Sequence, residues 1–87
     1  MMYLHLGDRT TVPFSTVVGV FDLDNTSTSK HTRAFLERAQ REGRIVDVSG
    51  ELPRSFVVCR EGDRETVYLS QISARTLWRR AEEGTLE

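Results

Sequence analysis

Asp22 and Asp24 stand two residues apart at the end of the apolar run Val17-Val18-Gly19-Val20-Phe21, and their types and spacing suit catalysis. A buried strand that delivers one aspartate as nucleophile and a second as acid/base and magnesium partner is what phosphoryl transfer through an aspartyl intermediate needs. The same residues have a plainer use. Asp22, Asp24 and Asn25 are good turn formers, and Thr26 to Ser29 leads into a helix start, where polar caps and negative charge are favoured.

The first reading resembles motif I of the haloacid-dehalogenase-type phosphohydrolases, and that resemblance carries further requirements. Such an enzyme needs a parallel sheet with right-handed crossovers, a later strand bearing a lysine, and another strand ending in an acidic pair for magnesium. Lys30 is the one lysine in the chain and follows the motif by a few residues, while the adjacent acids Glu82-Glu83 close a polar helix rather than an apolar strand. In an 87-residue chain too little remains after Thr26 to build the rest of that sheet. The chain is therefore read as non-enzymatic, with no catalytic residue, no cofactor and no small-molecule substrate.

Metal and thiol chemistry are equally thin. Cys59 is the single cysteine, so it forms no internal disulfide, and it lacks the Cys or His spacing of a metal site. A thiol in a strand, buried or half-buried, is expected. His5 reads as a packed or surface histidine, and no metal site is expected.

Arginine is the more promising chemistry. Eleven of the twelve basic residues are arginine, the side chain suited to bidentate phosphate or carboxylate pairing, although the formal net charge is −1. The charge is uneven: Ser29 to Arg44 carries a local balance of +3, and Ile45 to Ile72 one of −2. Lys30, Arg33, Glu37, Arg41 and Arg44 follow one another at three- or four-residue steps, so a helix would align them as a polar stripe opposite Phe35, Leu36 and Ala39, with Arg38 nearby. Such a stripe is a phosphate footprint or simply the solvated face of an amphipathic helix. Arg75 and Arg79 form an i,i+4 pair on a second helix, with Arg80 beside them. Arg79 and Arg80 also suit the negative end of the helix dipole.

These side chains need elements to position them. Met2 to Leu6 alternates towards Gly7-Asp8, and Thr11-Val12 follows before Pro13, which predicts two strands in a hairpin. Val17 to Leu23 is a third strand, apolar and β-branched enough to be central. Ser29 caps a helix that runs to Glu42, where Gly43 ends it. Ile45 to Val48 is a short strand, Gly50 to Pro53 a loop, and Ser55 to Arg60 pairs with Thr66 to Ser70 across Glu61-Gly62-Asp63-Arg64. Ser73 caps a second helix containing Leu77, Trp78 and Ala81, and the last six or so residues should fray. The expected fold is α+β: one small domain over residues 1–87, with five or six short strands and two helices in the order β-β-β-α-β-β-β-α.

Tyr3, Phe14, Phe21, Phe35, Phe56 and Tyr68 are assigned to packing, and Trp78 to the core or to a subunit interface. An apolar fraction of 38 % against 29 % charged is low for a self-sufficient core, which favours an oligomer that completes it. Neither a basic-flanked leader nor a long apolar span is present, so a cytoplasmic protein with no membrane association is expected.

Four separated blocks give the sequence a more specific likeness. They are Met2-Tyr3-Leu4-His5-Leu6-Gly7; Val18-Gly19-Val20-Phe21-Asp22 with Ser29-Lys30, Thr32-Arg33 and Phe35-Leu36; Leu52-Pro53-Arg54-Ser55-Phe56; and Tyr68-Leu69-Ser70 with Ile72-Ser73 and Thr76-Leu77. In this order they resemble the RemA/RemB family of bacterial extracellular-matrix (biofilm) regulators, its RemB-like branch in particular, from Met2 to about Arg80. The resemblance implies a small α+β protein. It also implies, from the RemA branch, a DNA-binding transcriptional regulator of matrix operons assembled as a ring-like homo-oligomer, with an arginine cluster on the loop before the penultimate strand. In that loop this chain keeps Arg54 but has Glu51 and Leu52 where arginines would stand, which removes two cations and adds an anion.

Arg54 is thus the first candidate for DNA contact, followed by Lys30, Arg33, Arg41 and Arg44 of the first helix and Arg75 and Arg79 of the second. A protein-protein interaction or scaffold module that never touches DNA is the rival reading, favoured by the near-neutral charge and Glu51.

Overall fold

Strict alternation of apolar and polar residues at the N-terminus produces a hairpin that works as a lid. The computed structural model describes residues 2–24 and 29–85; the turn expected through Thr26 and the fraying expected at the C-terminal end lie partly outside them. Strands β1 (Tyr3–Gly7) and β2 (Thr10–Pro13) pair antiparallel, burying Leu4, Leu6 and Val12 while Tyr3, His5 and Thr11 face outward. Asp8 and Arg9 make the tight connection, both at positive φ (44° and 63°), as in the type I′ turns whose twist matches a hairpin. A 3-10 turn at Phe14–Thr16, which the sequence pattern did not announce, then carries the chain away.

The second sheet has four strands. These are β3 (Val17–Asp22), β4 (Ile45–Asp47), β5 (Ser55–Glu61) and β6 (Arg64–Ser70), arranged β3-β5-β6-β4. Three neighbours in that order are joined antiparallel, but β4 runs parallel to β6. Helix α1 (Lys30–Arg41) covers one face and helix α2 (Ala74–Thr85), with the hairpin, the other. Among the described residues, six strands in two sheets with two α-helices make the expected α+β protein.

The strand pleat sorts the core. Phe56 and Val58 of β5 join Val67 and Leu69 of β6 beneath Phe35, Leu36 and Ala39 of α1. Val57 and Cys59 point the other way, packing with Leu4, Leu6, Val12 and Leu77. Burial pushes the Cys59 thiol up, against a smaller opposing effect of its hydrogen bond with Thr16, so the group stays neutral in its strand.

Serine hydroxyls tie the layers together where the strands end. Ser70 Oγ donates to the Leu6 carbonyl at 2.6 Å and accepts from the Ile72 N–H at 3.0 Å, while Ser55 Oγ donates to the Ile72 carbonyl at 2.7 Å. Both serines are fully buried, and among the described residues every buried side-chain polar atom has a partner. At the helix starts, Ser29 Oγ accepts from the Thr32 N–H at 3.1 Å and Ser73 Oγ from the Thr76 N–H at 3.2 Å, as capping requires.

One expectation fails: β3 is an edge strand, and the fully buried run belongs to β5. An apolar, β-branched run can sit at an edge when both of its faces find apolar neighbours. In β3, Val17 and Val20 pack towards the hairpin side, while Phe21 stacks on Phe56. Val18 at 61 % and Phe21 at 45 % exposure show that α1 does not cover this edge.

Candidate functional site

The end of β3 and the loop before β5 meet. Asp22 pairs with Ser55 in the strand register, and one residue further each way the two segments are still joined: the Leu23 N–H donates to the Arg54 carbonyl at 2.9 Å. The Arg54 N–H in turn donates to the Ser70 carbonyl at 2.8 Å, so the Arg54 backbone is held between the ends of β3 and β6. The side chain is held as well. Arg54 Nε donates to both Asp24 carboxylate oxygens (3.0 and 3.3 Å), and Nη2 lies 2.9 Å from Oδ2. These bonds and the Asp24 charge hold the Arg54 pKa above its usual value.

The loop has its own staple. Asp47 Oδ1 accepts from the Ser49 N–H at 2.9 Å and the Ser49 hydroxyl at 2.5 Å, which draws its carboxyl below the usual carboxylate range. Gly50 follows at φ +75°, a left-handed position that a side chain would strain, and leaves Leu52 84 % exposed at the loop tip.

Both aspartates of the catalytic-looking motif are accounted for by this geometry. Asp22 Oδ1 accepts from the Asp24 N–H at 2.7 Å in a local turn, and Asp24 is the counter-ion of Arg54. The strand that carries them is an edge strand antiparallel to β5, unlike the parallel strand that an aspartyl nucleophile of that type requires. Among the described residues no group of three His, Cys, Asp or Glu side chains could hold a metal ion.

The basic residues divide into three settings. Lys30, Arg33 and Arg41 are exposed on α1, and Arg33 borders the Arg54 loop: it lines, with Glu37, Leu23 and Pro53, a hollow of about 260 Å³ between α1 and the end of β3. Arg44 leaves the stripe that the sequence spacing drew. The helix ends at Arg41, Gly43 turns the chain at φ +70°, and Arg44 is left half-buried between Glu42 and Glu65, 2.7 Å from each. Its guanidinium also lies over the Phe35 ring, 6.0 Å from the centroid, so it holds α1 to β6. Arg75 and Arg79 are exposed on α2, across the sheet from α1, and neighbouring Arg80 donates to the His5 carbonyl at 3.3 Å.

A second surface was missed by sequence reasoning. Val18, Phe21, Phe35, Phe56 and Val58 line an open groove of about 360 Å³ between β3 and α1, with His31, Thr32 and Glu65 at its rim. Gly19 leaves space for the Phe21 ring that lines it, because a Cβ there would stand 2.8 Å from that ring. Phe21 and Tyr3 (52 % exposed), both assigned to packing, are thus substantially solvent-facing, and so is Trp78 at 51 %. The apolar run of β3 held the signal, but its place at an edge was needed to read it.

Fold and surface define a class: a small α+β module that presents cations and apolar side chains outward from rigid elements. The comparisons make it particular. The family model described as extracellular matrix regulatory protein A-like (RemA-like) matches residues 3–81. Extracellular matrix regulatory protein B of Bacillus subtilis (strain 168) is 35% identical over 81 residues, which cover 93% of this chain and 91% of that protein. The chain therefore belongs to the RemA-like family of extracellular matrix regulatory proteins.

Proposed function

We propose that this protein is a non-enzymatic regulator of extracellular-matrix gene expression that acts as a homo-oligomer, ring-like by analogy with the RemA branch, and contacts DNA. A DNA target implies the cytoplasm as its place of action. The observation that carries the DNA reading is the setting of Arg54: its backbone is hydrogen-bonded to two strand ends, its guanidinium is exposed, and the preceding residue, Pro53, lines a hollow together with Arg33. A fixed backbone lowers the entropy lost on contact with a phosphate. Arg33, Lys30 and Arg41 add charge along α1, and repetition of the surface around an oligomer would multiply a weak contact. Arg44, Arg75 and Arg79 support the reading less, the first being engaged internally and the others lying beyond the sheet.

Titration of duplex DNA at several salt concentrations tests this. Affinity should fall steeply as salt rises, and Arg54→Ala should weaken binding and flatten the slope of log K against log salt by up to about 0.9, the value of one full phosphate contact per site. Absence of any complex at low salt would sink the reading. It would leave the second one, an interaction module that does not touch DNA, which the apolar groove, Glu51 and the exposed Leu52 favour.

A further inference from the structure

We propose that Asp24 is a charge brake on Arg54: the carboxylate neutralises the guanidinium at the edge of the DNA-contacting surface, so that a phosphate engages Arg54 only in competition with it. This rests on the DNA reading above. The pairing is side-on, through Nε and one Nη2 hydrogen. Of the five guanidinium N–H groups, those on Nη1 and the second on Nη2 point away from this edge, in the fork that suits a phosphate. The geometry of a phosphate contact is therefore open while its electrostatic attraction is suppressed.

The brake is built into the backbone. The Leu23 N–H to Arg54 carbonyl bond fixes the two chains beside each other, and the Asp24 N–H to Asp22 Oδ1 bond sets the turn that presents the carboxylate. Asp24 and Arg54 are consequently neighbours whenever β3 and β5 are paired. Asp22 adds a second negative charge, which also acts on Arg54. Yet the pair is exchangeable: the Arg54 and Asp24 side chains are 54 % and 40 % exposed, where ion pairs hold weakly and are screened by salt. The Arg44 cluster is the contrast, its side chain 22 % exposed between two glutamates and lying over Phe35.

Asp24→Asn keeps the shape of the side chain and removes its charge. In full-length protein, fluorescence anisotropy with a labelled duplex should show Asp24→Asn binding roughly threefold to fivefold more tightly than wild type, the scale of one exposed charge interaction. Its log K against log salt should steepen by the share of one phosphate contact, about 0.9 in all, that Asp24 withholds from Arg54 in wild type. Combined with Arg54→Ala, the gain should vanish. That dependence on Arg54 separates a brake from a general change in net charge, and circular dichroism confirms the fold of each variant. Wild type that binds weakly, with Asp24→Asn that binds more tightly, supports the brake. Wild type that binds while Asp24→Asn is unchanged or weaker overturns the brake alone and leaves the DNA reading standing. A gain that survives Arg54→Ala overturns it too, and no binding by either protein overturns both.

Discussion

Single carboxylates do much of the local work around the candidate site. Asp24 holds the Arg54 side chain, and Asp47 holds the loop that leads to it through two bonds from Ser49. Those bonds favour the ionised form, so the folded-state pKa of Asp47 lies below its ordinary value of 3.8. The linkage follows: the ionised group's contribution to stability is present above the unfolded value and is lost as pH falls through the lowered folded value. Asp47→Asn, compared with wild type by urea denaturation between neutral pH and pH 2, should remove this part of the acid sensitivity. The difference should be no more than about 1 kcal/mol, because the side chain is solvent-exposed and screened. Identical acid profiles for the two proteins would show that the staple does not act through the charge.

At the scale of elements, the hairpin is under a small backbone strain. Its tight turn places Arg9 at φ 63°, a left-handed position that an unbranched charged residue occupies less readily than Gly or Asn. The element tolerates this because Leu4, Leu6 and Val12 are buried and Ser70 bonds the Leu6 carbonyl. Arg9→Gly gives the Asp-Gly sequence such turns prefer, and should stabilise by about 0.5–1 kcal/mol, raising Tm by roughly 2–5 °C in a thermal melt. A lowered Tm would mean that the turn is unstrained and that the added chain entropy of glycine dominates.

The whole molecule leaves one edge of its larger sheet apolar and open. Phe21 and Val18 lie on β3 at that edge, beside the groove under α1. Edge strands that carry exposed apolar side chains are natural places for a further chain to pair or pack. If subunits complete their core there, light scattering should give a mass well above the 9.9 kDa of one chain. Val18→Asp, which puts a charge at an already exposed position, should shift the protein towards folded monomer and lower Tm by the stabilisation that assembly supplied. A strict monomer in wild type would remove both assembly and the multiplication of weak DNA contacts around it.

Much of this was legible in the residues themselves. Local signals sufficed for element type, because caps such as Ser29 and Ser73, the glycine after α1, the alternation of β1 and the apolar run of β5 act within a few residues. They also sufficed for the family, since its blocks are short stretches, and they weighed against the aspartyl-enzyme reading, which needed a lysine and an acidic pair on later apolar strands where this chain has neither. Tertiary structure alone decided that β3 lies at an edge and β5 at the centre, because strand order depends on pairings between distant segments that composition does not encode. For the same reason it alone joined Asp24 to Arg54, thirty residues apart, and withdrew Arg44 from the α1 stripe to Glu65, twenty-one residues away. Charge types and spacing set which contacts the side chains were able to make; the backbone register chose among them.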